Sequence, residues 1–252
     1  MKSVKRDKLI KFCRDYLKVA EFQDYCVNGL QVEGKEDISK IVTGVSWSMQ
    51  LVQHAIEVEA EMVLVHHGLF GDMFGTPPNL TVSGFMKKRL AQLLRHNINL
   101  AGFHLPLDAH PQIGNNASLC KLLGVKKLKK CSVGFVGKLD KPQTLKAFVS
   151  SVDKKLSVKS TIVAKGSAKV SDVAIISGGS SSCFLETVEG GADTFLCGDA
   201  KEKVVRAAEE LGLNVINAGH YNTEKLGIIN LGKLLAKRFG ISVEFFDVPC
   251  EF

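Results

Sequence analysis

The stretch EMVLVHHG, residues 61–68, sets four apolar side chains ahead of two adjacent histidines and a glycine. MVLV (62–65) is too short and too aliphatic for a helix. It fits a strand buried on both faces, as in a parallel sheet covered by helices. The segments on either side support that reading. Upstream, SKIVTGVSWS (39–48) is a buried strand with a Gly/Ser exit, and MQLVQHAIEVEAE then repeats apolar residues at Val52, Ala55, Ile56 and Met62, near a helical period. Downstream, GFMKKRLAQLLRHN sets Met86, Leu90, Leu93 and Leu94 on one helical face, and INLAGF (98–103) is a third strand. Strand, helix, strand, helix, strand is the signature of βαβ units.

The second half of the chain repeats the plan. SDVAIISGGSSS (171–182) is a strand entering a Gly/Ser loop, DTFLCGD a strand, AKEKVVRAAEELG a helix closed by glycine, and LNVINAG a strand. NINLAGFH (97–104) aligns with LNVINAGH (213–220) at a shift of 116 residues. Each ends in a histidine, with a carboxylate four positions on: His104 and Asp108, His220 and Glu224. EMVLVHHG aligns with ADTFLCGD, so the second half has Cys197 and Gly198 where the first has His66 and His67.

The expected fold is therefore α/β: two internally related domains with mainly parallel buried strands. The expected partition is residues 1–125 with 220–252 as a discontinuous first domain carrying the double histidine, and 126–219 as the second. Between the halves, CSVGFVGKLD, KPQTLKAFVSSVDKKL and STIVAKG read as strand, helix and strand, with Pro142 in the helix's first turn. The end of the chain reads as a helix stopped at Gly240 and a last strand, ISVEFFDV, returning to the first sheet.

Composition narrows the class. With 45% hydrophobic and 23% charged residues in 252, this is a globular composition. Charges interrupt the N-terminal apolar residues, so no signal-peptide core is expected, and no stretch reaches the roughly 18 apolar residues of a membrane span. Seven cysteines without a C-x-x-C fit buried free thiols in a reducing cytoplasm rather than a disulfide framework or zinc knuckle. A cytoplasmic protein with no membrane partner is expected. The net charge of +7 favours anionic partners, but GVKKLKK (124–130) is the one dense basic cluster and aromatics are 7%, so nucleic acid is the weaker possibility.

Chemistry gathers beyond the carboxyl ends of parallel strands. His66 and His67 end one such strand, His104 and Asp108 follow another, and His220 and Glu224 a third. Several imidazoles plus two carboxylates suit Zn, Fe, Mn or Ni. For His66 and His67 to act together, the backbone should leave the pleat there, with Gly68 giving the freedom. Each piece also has a plain structural reading: a polar strand exit for the histidine pair, a first-turn acid for Glu224, a turn residue for Asp108. His54 and His96 read as ordinary surface histidines, and His110 is open either way. ISGGSSS (176–182) reads as a phosphate cradle or a plain strand-to-helix turn.

NGLQVEG (28–34), LVHHGLF (64–70), HLPLDAHPQIGNNASL (104–119) and INAGHYNTE (216–224) together resemble the NIF-three-like family, whose members are often labelled GTP cyclohydrolase I type 2. The resemblance covers the chain. It implies two divalent metal ions per chain, held by His66, His67, Asp108, His220 and Glu224, the last bridging. It places His104 beside them, where an imidazole can act as a proton shuttle. It also implies two interlocked α/β domains, a homohexameric ring and a small-molecule or nucleotide substrate for a metal-dependent hydrolase. The alternative is a non-catalytic metal-binding interaction or regulatory protein, possibly associated with nucleic acid.

Overall fold

A computed structural model of the chain describes residues 2–69 and 81–250; Phe70, the last residue of the LVHHGLF signature, lies outside them. The chain divides into two compact units, Met1–Leu107 with Ile228–Val248, and Asp108–Gly227 with Pro249–Phe252. The first unit is discontinuous, and the divisions fall earlier and later than residues 125 and 219. The reason lies in packing: Leu119, Cys120 and Leu123, assigned by sequence to the first domain, share a core with Phe148, Val152, Val173 and Ile216 of the second unit.

The first unit opens with β1 (Val4–Lys5), α1 (Arg6–Tyr16), β2 (Gly29–Val32), β3 (Asp37–Ile38) and β4 (Lys40–Ser46). Then come α2 (Met49–Glu57), β5 (Met62–His67), α3 (Gly84–Arg95) and β6 (Asn99–Gly102). The strands β4, β5 and β6 are neighbours and parallel, and β2 adds antiparallel to β6. Met62, Val63, Leu64 and Val65 are fully buried, as a strand sandwiched by helices requires. The helix α2 starts at Ser48, whose side chain accepts from the Leu51 amide, and buries Leu51, Val52 and Ala55. In α3, Met86 and Leu93 are buried but Leu94 is 59% exposed, a correction to the four-residue face. Leu94 is one step of about 100° round the helix from Leu93, which turns it off the stripe that faces the core.

The division between the units falls within α4 (Leu105–Asp108), and the second unit then holds α5 (Asn115–Leu123), β7 (Val125–Cys131), β8 (Gly134–Thr144), α6 (Leu145–Leu156), β9 (Thr161–Ala164) and β10 (Lys169–Ile176). It continues through α7 (Phe184–Glu189), β11 (Thr194–Cys197), α8 (Glu202–Leu211) and β12 (Asn214–Asn217). Its sheet runs β7-β8-β10-β11-β12-β9. The centre β10-β11-β12 is parallel; the flanking pairings are antiparallel. The sheet is thus less parallel than expected, because β7 and β8 are joined by a short turn that permits only an antiparallel hairpin. The lysine cluster lies on β7, whose Lys126–Lys130 stretch is exposed at the sheet edge, where charge discourages pairing with another chain. Pro142 sits inside β8, not in a helix; α6 begins after it, capped by Thr144 accepting from the Ala147 amide. The ladder between β8 and β10 breaks register beside Pro142, which has no N–H to give.

The helix α9 (His220–Phe239) carries the chain out of the second unit, and β13 (Ser242–Phe245) pairs parallel with β4, completing the order β13-β4-β5-β6-β2 in the first. No helix among the described residues is long and apolar enough to cross a membrane.

Candidate metal-binding residues

In the first unit His66 and His67 close β5. Both stay in the strand, and His67 remains in register with Ser46, so the expected departure from the pleat does not occur. Their rings lie 4.5 Å apart between centroids at the last two strand residues, where no departure from the ladder is needed. His66 is 1% exposed, and its Nδ1 is 2.9 Å from the Phe103 carbonyl oxygen. A carbonyl only accepts, so Nδ1 carries the proton and Nε2 the lone pair. His67 Nδ1 lies 3.0 Å from Ser46 Oγ on the neighbouring strand.

His104 follows β6 and brings its ring to 5.0 Å from that of His66 and 5.7 Å from that of His67. One ligand-capable atom from each of the three histidines lies within 4.8 Å of the others. Sequence reasoning missed what holds His104. Its Nδ1 donates to Asp24 Oδ1 at 3.0 Å, and its backbone amide donates to Asn28 Oδ1 at 2.7 Å. Asp24 also accepts from the Cys26 and Leu105 amides and Asn28 Nδ2, so each of its oxygens takes two donors. Burial pushes the Asp24 carboxyl up, but His104 and the other donors outweigh it and hold it below the usual range. With four donors engaged, Asp24 orients the imidazole. Tyr25 packs edge-on against the His104 ring at 5.0 Å, with Oη 3.5 Å from Nε2. The position of Asp24 just ahead of NGLQVEG was the available signal.

In the second unit β12 ends, Gly219 turns the chain at φ +83°, and α9 begins at His220. His220 and Glu224 therefore stand one turn apart on one side of the helix, with Nε2 and Oε2 2.9 Å apart. His220 Nδ1 donates to Asp199 Oδ2 at 2.7 Å; Asp199, just after β11, was also not singled out from the sequence. Burial works against the charged imidazole, but Glu224 and then Asp199 outweigh it and raise the His220 pKa to about 9. Glu224 is 3% exposed, too deep for a first-turn surface acid.

Asp108 is equally buried, and its Oδ1 accepts from Asn115 Nδ2 at 2.8 Å and Ser177 Oγ at 3.1 Å. Ser177 opens the ISGGSSS loop, and the next residue, Gly178, packs against Glu224 and His220. A Cβ on Gly178 would stand 1.9 Å from Glu224 Oε1, and its φ of +61° favours glycine as well. The loop is thus a strand-to-helix turn whose work is to hold Asp108, His220 and Glu224. His110 Nδ1 accepts from the Gln112 and Ile113 amides and serves the local turn, while His54 pairs with Glu244 and stacks on Phe246.

The structure therefore brings His66, His67 and His104 together in one unit, and Asp108, His220 and Glu224 round one loop in the other. The donor set fits a divalent metal. Imidazole nitrogen with carboxylate oxygen suits Zn, Fe, Mn or Ni. His66, His104 and His220 each commit Nδ1–H to a carbonyl or carboxylate, the outer contact that metal-binding histidines use to present Nε2.

Known proteins resemble the chain along its length. A relative from Neisseria meningitidis serogroup A, named GTP cyclohydrolase 1 type 2 homolog, is 40% identical over 247 residues, 97% of this chain and 98% of its own. One of the same name from Haemophilus influenzae is 42% identical over 234 residues, 90% of this chain and 92% of its own. Among solved structures, the protein ybgI, described as of unknown function, superposes with a TM-score of 0.94 at 37% identity, covering 99% of this chain and 100% of that one. TTHA1606 from Thermus thermophilus gives 0.89 at 33% identity, covering 99% and 100%. The family model for Duf34/NIF3 (NGG1p interacting factor 3) matches residues 4–250, and the chain belongs to that family.

Proposed function

We propose that the protein is a metal-dependent hydrolase in which His66, His67, Asp108, His220 and Glu224 would hold two divalent ions, Zn, Fe, Mn or Ni. The observation that carries the reading is the shared orientation device: Phe103 O for His66, Asp24 for His104 and Asp199 for His220 each take the Nδ1 proton. Bound metal supplies Lewis acidity and a water acidic enough to ionise near neutral pH.

The protein's own residues do the rest. Asn115 and Ser177 fix one oxygen of Asp108. Gly178 leaves room for the Glu224 carboxylate. Asp24 keeps the His104 proton on Nδ1, so Nε2 is the atom that accepts a proton during turnover and returns it, with Tyr25 Oη beside it. The relatives' name suggests GTP as the first substrate to try, a nucleotide whose anionic phosphates suit a chain of net charge +7. All seven cysteines are free, which suits a reducing cytoplasm.

Two measurements test this. Elemental analysis should find about two ions per chain; a protein that neither carries nor takes up metal would end the reading. Metal-loaded protein should turn over GTP, or another nucleotide or phosphoester from a broad panel, well above a Glu224→Ala control. A second reading, a metal-binding interaction protein, is favoured by the family's own description as an interacting factor. It predicts no turnover on any substrate, and a partner complex that a chelator dissolves. The ring-shaped homohexamer is proposed on family resemblance; light scattering that gives the mass of one chain would dismiss it.

A further inference from the structure

The second unit contains a cavity of about 730 Å³ that the site described above does not use. Its walls come from the α6–β9 connection, the turn between β12 and α9, and Pro249 and Cys250. We propose that this cavity binds a small phosphorylated molecule, a sugar phosphate or nucleoside monophosphate, with Lys159 holding the phosphate.

Position is the first argument. The cavity lies past the carboxyl end of β12, in the parallel centre of the sheet, where α/β folds place their ligands. Its volume falls within the roughly 300–1,000 Å³ of small-molecule sites. Lining chemistry is the second argument. Ser157 and Thr161 bring hydroxyls, Asn217 and Asn222 bring amides, and Lys159 brings a positive charge. Among the described residues that line it there is no carboxylate. One cation and several neutral donors and acceptors match one phosphate ester on a body rich in hydroxyl or ring-nitrogen groups. The start of α9, a 20-residue helix, adds partial positive charge beside Asn222.

The two cavity residues Gly219 and Asn222 bracket His220. A molecule held in the cavity would lie beside the backbone turn that carries His220, which makes it a candidate substrate. Only this last step, that the ligand is a substrate, rests on the proposed metal function; binding in the cavity does not require metal.

The test uses Cys250, an exposed thiol in the cavity wall. Burial pushes Cys13, Cys120 and Cys197 up to about 12, so they react slowly. Alkylation of Cys250 by iodoacetamide, followed by peptide mass spectrometry on the full-length metal-loaded protein, then reports occupancy. Adenosine 5′-monophosphate and ribose 5-phosphate should each slow it about tenfold at ten times their Kd, and ribose should not. Lys159→Glu should weaken that protection about tenfold or more, with unchanged metal content, and Lys159→Arg should keep it. No protection by millimolar phosphate esters, or equal protection in Lys159→Glu, overturns the proposal. Inorganic phosphate protecting as well as the esters overturns the ligand class. Metal-stripped protein separates the two readings. Protection in a chain that takes up no metal sinks the hydrolase and keeps the cavity; absent protection in a chain holding two ions does the reverse.

Discussion

The triplet β4-β5-β6 of the first unit and the triplet β10-β11-β12 of the second are both parallel, and each carries an antiparallel neighbour on its third strand, β2 or β9. The repeat read from NINLAGFH and LNVINAGH corresponds to this shared plan. The middle strands end differently, in His66–His67 on β5 and in Cys197–Gly198 at the end of β11. Space explains the loss of the second pair. A Cβ on Gly198 would come within 2.7 Å of the Gly178 backbone nitrogen and of Thr223 Oγ1. The second unit has filled that room with the loop that supports Asp108 and Glu224. One unit displays imidazoles from a strand end; the other builds a buried carboxylate pair around a glycine turn.

The largest effect should come from removing that pair. Glu224→Ala and Asp108→Ala should each lower metal content from about two ions per chain to one or fewer, measured by elemental analysis; full occupancy in both would show that the carboxylates are structural only. Exchanging the strand ends sharpens the comparison. Gly198→His should cost about 1–3 kcal/mol, since backbone must move, and lower Tm by several degrees. His67→Gly should lose metal with little change in the Tm of stripped protein. A Gly198→His variant as stable as the parent would remove the steric explanation.

The two orienting acids should separate in their effects. Asp199→Asn should weaken metal binding roughly 10–100-fold, because it no longer fixes a proposed ligand. Asp24→Asn should leave metal content intact and lower turnover, because His104 is the group it fixes. Equal loss of metal in both would place His104 among the ligands.

The smallest effect is in pH. The His220 pKa is raised from 6.5 to about 9, so its contribution to the stability of metal-free protein is fully present below pH 6.5 and lost as pH rises through about 9. The Tm of stripped protein should fall across that window, and His220→Asn should remove that part of the fall. Metal affinity should rise over the same window, because the ion must displace the proton. A Tm profile identical in the variant would count against the His220–Glu224 pair.

Much of this was legible in the sequence because period and local order carry it. Four apolar residues in a row specify a doubly buried strand, and His220 four residues before Glu224 specifies one helical face once a helix begins there; the same spacing at His104 and Asp108 does not, because His104 precedes α4. The proposal that groups His66, His67, His104, Asp108, His220 and Glu224 rests on motif order. Their supports do not: Asp24 reaches His104 across 80 residues and Asp199 reaches His220 across 21. Neither pairing has a periodic signal, because a hydrogen bond between distant segments depends on where the backbone brings them. The same limit explains Pro142 in a strand, Leu94 turned outward and α5 joined to the second core. What the sequence alone determined was the element types and the chemical inventory, both local properties of the chain. Only the tertiary structure decided which imidazole nitrogen keeps its proton, which carboxylates are buried, and why β11 has no room for a second histidine pair, since these depend on contacts between segments far apart in the chain.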